Sequence, residues 1–302
     1  MDQLIVDRFE RENGELAALL RDLTGERVAY FPNPGNAGDS LIASATYQLL
    51  DRYGLRYDVL HTPQDASALS GQVVILGGGG NLVPLYHGMA AIAERLVSGG
   101  HSVILLPHSV RGNEELLARM PASWTLFCRE IQSWRHVQRH APSCNVRLGH
   151  DIGLYLDADM LGDSVDPDAA EQQFRSVLAS GAKLTPEAIT GKAVSCMRHG
   201  AERTSVPAGP NYDVSVLFAT GVDPGPSDIG AWMMLEFARR VSQVTTNRLH
   251  IGVAAALVGT PVVLHDNSYG KVSGVFLNSM RGRFPHVTFA GEMRTEAVFA
   301  TT

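Results

Sequence analysis

The segment from Thr245 to Asn267 constrains the fold of this chain most, because it reads as a strand, a helix and a second strand in succession. An apolar run over Val241–Thr245 predicts the first strand, and Pro261–His265 predicts the second. The Ala-rich stretch between them, Leu249–Val258, has the length and composition of a buried helix. A strand, helix and strand in this order are typical of an α/β domain.

The turn into this predicted helix carries Arg248 and His250. A guanidinium and an imidazole then lie at the first turn of a helix, where free N–H groups and the helix dipole attract anions. A second turn, Asn33 to Asp39, follows the first predicted strand, and its Asn36 and Asp39 could face the hydroxyl groups of a ligand. An ordinary strand–turn–helix junction has the same pattern, but one such turn in each half predicts a cleft between two α/β domains.

Short apolar strands alternate with helical patterns along the whole chain. Strands are predicted at Arg27–Phe31, Tyr57–Leu60, Gln72–Leu76, Ser102–Leu106, Thr125–Cys128, Val146–Leu148, Ala193–Cys196, Asp213–Phe218, Val241–Thr245 and Val262–Leu264. Helices are predicted at Leu41–Tyr53, Leu85–Ser98, Glu114–Met120, Ile131–His140, Ala169–Ala179, Ser227–Arg239, Leu249–Val258 and Val272–Met280. Continuously apolar strands fit parallel sheets that are buried on both faces. The pattern therefore predicts doubly wound, Rossmann-like α/β domains.

The 302 residues suit two domains of roughly 150 residues each. Residues 157–171 are acidic and indicate a linker, so we predict one domain over residues 1–157 and another over residues 158–302. Residues 199–212 are polar and rich in turn-forming residues, and they predict a surface loop. Residues 1–24 have an amphipathic helical pattern with a break at Gly14.

Composition disfavours several classes of protein. The net charge of −6 argues against nonspecific nucleic-acid binding. Three cysteines without a C-x-x-C pair indicate a reducing compartment. The first residues lack a signal-peptide core and no apolar run approaches the ~18 residues of a membrane span. We therefore expect a cytoplasmic protein, with peripheral contact at the inner face of the cell membrane left open.

A run of glycines, Gly77 to Gly80, follows a predicted strand and is followed by Asn81. Such a run indicates close approach to the backbone, and we expect Gly78, Gly79 and Asn81 to line a ligand. The pattern is not G-x-G-x-x-G, so a nicotinamide site is disfavoured. His108 also follows a predicted strand, where α/β proteins bind ligands, although a loop histidine without a role fits equally well.

Three cationic residues occupy positions where a ligand anion would bind. Arg129 and Arg198 each follow a predicted strand. For Arg129, a surface ion pair with Glu130 or an interaction at a helix end is the alternative interpretation, and Arg198 is open in the same way. Lys271 begins a helical pattern, where a cation opposes the helix dipole unless an anion is nearby.

His136 and His140 are four residues apart on a predicted helix, a spacing that can bind a metal ion. No glutamate follows the first histidine, and the surrounding sequence is rich in charge. We interpret this pair as part of a solvated helix face and expect neither a metal site nor a cofactor.

Taken together, these motifs resemble the polysaccharide pyruvyl transferase family. The matching elements are Gly35–Asp39, Gly77–Asn81, Cys128–Glu130, His150–Asp151, Thr246–His250 and Pro261–Leu264, followed by Lys271. The resemblance implies two Rossmann-like domains like those of B-type glycosyltransferases, with a ligand cleft between them. It places the acceptor in the N-terminal domain and phosphoenolpyruvate in the C-terminal domain. Residues 108–112, His-Ser-Val-Arg-Gly, depart from the family's common Gln-Ser-Ile-Gly-Pro. This difference concerns the identity of the acceptor more than that of the donor.

The resemblance implies transfer of pyruvate from phosphoenolpyruvate to a sugar of an exopolysaccharide or cell-surface glycan precursor, forming a ketal. It implies that Arg248 and Arg129 clamp the donor, which two guanidiniums suit by their bidentate geometry. Further residues expected in the site are the supporting cations Arg198 and Lys271, the neighbouring Leu249, the acid His250, the base Asp39 or His108, and the sugar-orienting Asn36.

Two other functions stay open from the residues alone. A nucleotide-sugar-dependent glycosyltransferase would share the fold but would need a site for a base and a ribose. A non-catalytic sugar- or anion-binding protein is the other alternative. The acceptor is free or lipid-linked, and a homo-oligomer is neither indicated nor disfavoured.

Overall fold

The computed structural model describes residues 14–200, 202–204 and 210–291. Within them the chain divides into two compact units. The first unit comprises residues 14–34 and 45–155, and the second comprises residues 35–44 together with the described residues from 156 onward. The sequence-based boundary lies after residue 157, and the segment 35–44 belongs by its contacts to the second unit. One such contact is the hydrogen bond of 2.6 Å from the Ser44 hydroxyl to Asp228.

The first unit contains a seven-stranded parallel sheet in the order β2-β1-β3-β5-β6-β7, with β4 paired to β5. Its strands are β1 (Arg27–Phe31), β2 (Arg56–Val59), β3 (Val74–Leu76), β4 (Gly79–Leu82), β5 (Val103–Val110), β6 (Trp124–Cys128) and β7 (Asn145–Leu148). The helices are α1 (Gly14–Asp22), α2 (Ala37–Arg52), whose first turns lie in the second unit, α3 (Pro63–Ala68), α4 (Gly88–Gly99), α5 (Glu114–Arg119) and α6 (Ile131–His140). All eight residues of β5 are buried, as expected for a central strand covered on both faces.

The second unit contains a four-stranded parallel sheet in the order β11-β10-β9-β8. Its strands are β8 (Ala193–Ser195), β9 (Gln243–Thr246), β10 (Val262–Leu264) and β11 (Val287–Phe289). Its helices are α7 (Ala158–Ser164), α8 (Pro167–Val177), α9 (Pro186–Ile189), α10 (Val214–Leu217), α11 (Pro226–Arg240), α12 (Leu249–Leu257) and α13 (Lys271–Val275). Short π-helical segments, Leu178–Ala182 and Phe276–Met280, follow α8 and α13.

The α/β class with parallel sheets is confirmed, and the predicted strands are found within a few residues, with one exception. The segment Asp213–Phe218 was expected to be a strand because it is rich in valine. It contains the helical turn α10, which places Val214 and Phe218 on one buried face. The ring of Phe218 lies 5.5 Å from that of Phe174, so aromatic packing at helical spacing prevails over β propensity.

The predicted linker, residues 157–171, is also wrong, because it contains α7 and the start of α8. Two of its acidic residues cap these helices. The Asp157 carboxylate accepts from the N–H groups of Asp159 and Met160, and that of Asp166 accepts from those of Asp168 and Ala169. The acidic composition that indicated a linker therefore reflects helix capping.

The N-terminal amphipathic pattern is present as helix α1, which buries Leu16 and Leu20; residues 1–13 lie outside the described residues. Among the residues described, no helix has both the length and the apolar character needed to cross a bilayer. The strands β4 and β11 were not predicted, since the first is half glycine and the second has only three residues.

Candidate active site

The strands of the second sheet are followed by polar residues at their carboxyl ends. Because the strands are parallel, these residues lie along one edge of the sheet, which is where α/β proteins bind ligands. The residues concerned are Arg198 and Glu202 after β8, Asn247, Arg248 and His250 after β9, and Asn267 and Lys271 after β10.

Arg248 lies at the N-cap of α12, and its guanidinium forms a bidentate ion pair with Asp213. Its Nε and Nη2 atoms lie 2.8 and 2.6 Å from the two carboxylate oxygens. Both side chains are about nine-tenths buried, and the backbone N–H of His199 also donates to Asp213. This geometry fixes the plane of the guanidinium. The sequence did not single out Asp213, because the residue belonged to a predicted strand.

A single buried carboxylate, that of Glu202, holds two of the predicted cations. It accepts from Lys271 Nζ at 2.9 Å and from Asn267 Nδ2 at 2.8 Å, and it pairs with the guanidinium of Arg198. The anion that the position of Lys271 requires is therefore part of the protein itself. Glu202 lies in the predicted surface loop, yet only 3% of it is exposed. The four-residue spacing from Arg198 was the one signal that could have identified it.

His250 lies in the first turn of α12, half-buried, and packs against Gly38. A Cβ atom on Gly38 would lie 2.5 Å from His250 Nδ1, so only glycine fits without displacing the ring. This contact brings the Asn36–Asp39 turn to the imidazole within the second unit. Leu249, expected in the site, is 3% exposed, so its side chain belongs to the core.

The turn itself is held by its own side chains. Asn36 Oδ1 accepts from the N–H of Gly38 at 2.9 Å, and Asp39 Oδ2 accepts from the N–H of Asn36 at 2.9 Å. Asp39 is nine-tenths buried, whereas Asn36 is partly exposed. The turn therefore presents an amide and a carboxylate in a fixed arrangement beside the Gly38 contact.

A cavity of about 440 Å³ borders the Arg248–Asp213 pair, within the range typical of small-molecule sites. It is lined by Gly181, Ala182, His199, Asn211, Tyr212, Asp213, Val216 and Leu217. Burial lowers the pKa of His265, another histidine at this edge of the sheet. His265 is therefore neutral near pH 7 and poorly suited to donate a proton to a ligand.

In the first sheet, His108 is completely buried and both of its ring nitrogens are engaged. Nε2 lies 3.0 and 3.1 Å from the backbone N–H groups of Asn81 and Leu82, so it must accept. Nδ1 lies 3.1 Å from the carbonyl oxygen of Gly77, so it must donate. His108 is thus a neutral imidazole without a lone pair for a substrate proton, which argues against the predicted role as base.

Arg129 is likewise buried, with 1% of the side chain exposed. Its Nη1 lies 2.7 Å from Asp151 Oδ2, and its Nε donates to the hydroxyl of Ser109 at 2.9 Å. The alternative, a surface ion pair with Glu130, is wrong, because both residues are buried. Glu130 binds Arg111 at 2.9 Å and caps α6. The guanidinium of Arg129 is thus buried and paired within the protein, and its predicted role in clamping the donor stays a prediction.

The glycine run packs against the protein's own backbone and side chains. A Cβ atom on Gly79, whose φ is +143°, would lie 2.5 Å from Asn33 Nδ2. Asn81 donates from its amide to the carbonyl of Pro34 at 2.7 Å, and Gly78 is buried. The close approach inferred from the sequence therefore exists, and in these contacts the partner is the loop after β1.

Comparison with known proteins identifies the family of this chain. The family model described as polysaccharide pyruvyl transferase matches residues 36–269, more than three-quarters of the chain. The chain belongs to the polysaccharide pyruvyl transferase family. The match includes the turn with Asn36 and Asp39 and the Arg248–His250 element, and it ends two residues before Lys271.

Two individual proteins resemble this pyruvyl transferase family member over most of its length. EpsO of Bacillus subtilis (strain 168), which carries a provisional name as a pyruvyl transferase, is 24% identical over 290 residues. That match covers 84% of this chain and 85% of EpsO. A functionally uncharacterised protein from Klebsiella pneumoniae subsp. pneumoniae has a crystal structure that superimposes with a TM-score of 0.71. It is 25% identical, and the match covers 94% of this chain and 99% of that one.

Proposed function

We propose that this protein transfers pyruvate from phosphoenolpyruvate to a sugar of a polysaccharide or surface-glycan precursor and forms a ketal. The observation that carries the proposal is one edge of the second sheet, where Arg198, Arg248 and Lys271 share two carboxylates. A partly exposed imidazole, that of His250, lies in the same unit beside a turn that supplies Asn36 and Asp39.

Phosphoenolpyruvate carries a carboxylate and a phosphate, and both are bound well by charge-assisted hydrogen bonds. Asp213 orients Arg248, and Glu202 orients Arg198 and Lys271, so the cations do not have to be ordered when the donor binds. The donor would bind without displacing Asp213 from Arg248. Asp213 engages Nε and Nη2 of that guanidinium, and Nη1 still carries N–H groups that an anion can accept from.

In the proposed reaction, the His250 imidazolium protonates the methylene carbon of the donor, and the neighbouring carbon becomes an oxocarbenium-like centre. A sugar hydroxyl adds to this centre and releases its proton to Asp39, while Asn36 orients the sugar. The C–O bond to phosphate then breaks, phosphate leaves with the bonding electrons, and it takes up the proton held by Asp39, which restores the carboxylate. A second hydroxyl closes the ring, and its proton restores the imidazolium.

For His108 and Arg129 we propose positioning roles. His108 holds β4 through its two accepted N–H bonds. Arg129 links the ends of β5 and β6 to Asp151 through Ser109 and its ion pair. Neither residue then needs to touch the donor or the acceptor.

The test is incubation of the full chain with phosphoenolpyruvate and a panel of free and lipid-linked saccharides. Released phosphate and a mass increase of the acceptor would be measured together. We expect both signals with at least one acceptor, and a large loss of both in Arg248→Lys, which keeps the charge but not the bidentate pairing. Phosphate release without an acceptor adduct, or transfer unaffected by Arg248→Lys, would reject the proposed site.

The rival function, nucleotide-sugar-dependent glycosyl transfer, needs a carboxylate for the ribose hydroxyls. Asp213 is a carboxylate on the wall of the 440 Å³ cavity. Both of its oxygens are already engaged by Arg248, and one also accepts from His199. Thermal-shift measurements with phosphoenolpyruvate and with nucleotide sugars separate the two functions, and we expect stabilisation by the former.

A further inference from the structure

We propose that Glu114, His136 and His140 form a binding site for one divalent transition-metal ion such as Zn²⁺, outside the proposed active site. The ligand atoms of these three side chains all lie within 4.8 Å of one another. They belong to the first unit, at the adjoining surfaces of α5 and α6. Two imidazoles and one carboxylate are a ligand set that zinc uses in proteins, with water in the remaining position.

Helix α6 places the two histidines on one face. They are four residues apart, one helical turn, and their ring centroids are 4.8 Å apart. The sequence showed this pair but offered no third ligand nearby. Folding brings the Glu114 carboxylate, 22 residues upstream, beside the ring of His136: it lies 3.9 Å from Nε2, and one ligand atom from each of the three residues lies within 4.8 Å of the others.

A second observation concerns the orientation of His136. Its Nε2 lies 2.8 Å from the carbonyl oxygen of Gly112, and a carbonyl can only accept. Nε2 therefore donates a proton to this carbonyl, which leaves Nδ1 as the nitrogen that would bind the ion. Histidines that bind metals are typically oriented by such a bond to a carbonyl. The bond to the Gly112 carbonyl thus fixes the orientation of the His136 ring in the way that is usual for a metal ligand.

The loop that carries this carbonyl is itself fixed to α6. Arg111 Nη1 donates to Glu130 Oε1 at 2.9 Å, and Asn113 Nδ2 donates to the carbonyl of Arg111 at 3.0 Å. Gly112 and Asn113 both have positive φ, +58° and +59°, which turns the chain so that α5 begins at Glu114. The three ligands are therefore carried by elements that are fixed to each other, as a defined metal site requires.

The choice of metal follows from the ligands. Imidazole suits zinc, copper and nickel, whereas Mg²⁺ and Ca²⁺ prefer sites made entirely of oxygen atoms. The cysteines are weak competitors, since burial raises the pKa of Cys144 to about 11 and raises those of Cys128 and Cys196 as well. A bound ion would connect α5 to α6 and stabilise the folded state by mass action.

The experiment is titration of the untagged full chain with ZnCl₂ in isothermal calorimetry, with MgCl₂ as the control ion. We expect one zinc per chain and no heat of binding with magnesium. His136→Ala and His140→Ala should each weaken zinc binding by more than the roughly 10- to 100-fold that loss of an outer-shell partner costs. Glu114→Gln should weaken it by at least about tenfold, while His61→Ala, which removes an exposed histidine elsewhere, should bind as the wild type does.

A second measurement, the visible absorption of Co²⁺ in place of zinc, reports coordination directly. The expected result is a d–d band that disappears in both histidine variants. Zinc binding that is absent, or equal in the wild type and both histidine variants, would overturn the site. Binding that needs both histidines but is unaffected by Glu114→Gln would overturn the three-ligand arrangement. Circular dichroism of each variant confirms that it is folded.

Discussion

The carboxyl edges of the two sheets carry similar residues in different states. At the first sheet, the imidazole of His108 and the guanidinium of Arg129 are buried and engaged by neighbouring groups. At the second sheet, three cations share two carboxylates, and His250 is partly exposed. A polar residue after a strand is therefore an ambiguous signal. Exposure, which the sequence does not show, distinguishes the buried imidazole of His108 from the partly exposed imidazole of His250.

The largest expected effect distinguishes the two histidines. His250→Ala should lower kcat for pyruvyl transfer by about 10²- to 10⁴-fold, because the proposed general acid is removed, and should leave the melting temperature unchanged. His108→Ala should instead destabilise the fold, since two N–H groups and a carbonyl lose their partner at about 1–3 kcal/mol each. Steady-state kinetics and thermal melting measure both effects. Near-normal turnover by His250→Ala would contradict the assignment of His250 as the catalytic histidine.

The next effect tests whether Arg129 is structural. Arg129→Met leaves the Asp151 carboxylate buried without its cation, so the free energy of unfolding should fall by about 3–5 kcal/mol. Urea denaturation measures this, and the double variant with Asp151→Leu should recover most of the loss. Arg119→Met, which breaks an exposed pair in the same unit, is the control and should change stability by at most about 1 kcal/mol. If Arg129→Met were as stable as the wild type and had a raised KM for phosphoenolpyruvate, Arg129 would bind the donor and the structural role would be rejected.

The smallest effect concerns the contact between Gly38 and His250. Gly38→Ala places a methyl group 2.5 Å from the ring nitrogen, so the imidazole must move. We expect roughly a tenfold loss of kcat, within the range caused by a displaced catalytic group. Gly162→Ala is the matched control, because a Cβ atom there meets nothing within 4 Å, and its kinetics should equal those of the wild type. If Gly38→Ala had the same kinetics as the wild type, the Asn36–Asp39 turn would not be part of the active site.

Much of the fold could be predicted because it is local in origin. Apolar runs identified β1 at its observed bounds, and amphipathic spacing did so for α6. Errors arose where a local pattern has two meanings. Valines at 214 and 216 favoured a strand, but the burial of Val214 and Phe218 at helical spacing makes α10. Acidic residues at 157 and 166 suggested a linker, but they cap helices.

The sequence by itself determined the α/β class, the family and the cations and histidines that follow the strands of both sheets. Only the tertiary structure decided which of them are engaged, because their partners are distant along the chain. Arg248 meets Asp213 across 35 residues and Lys271 meets Glu202 across 69. The spacing of apolar residues along the chain indicates which face of a helix or strand is buried, because that face is formed by residues close together in sequence. The pairing of charges depends on how loops from separate strands converge, and no local pattern records that.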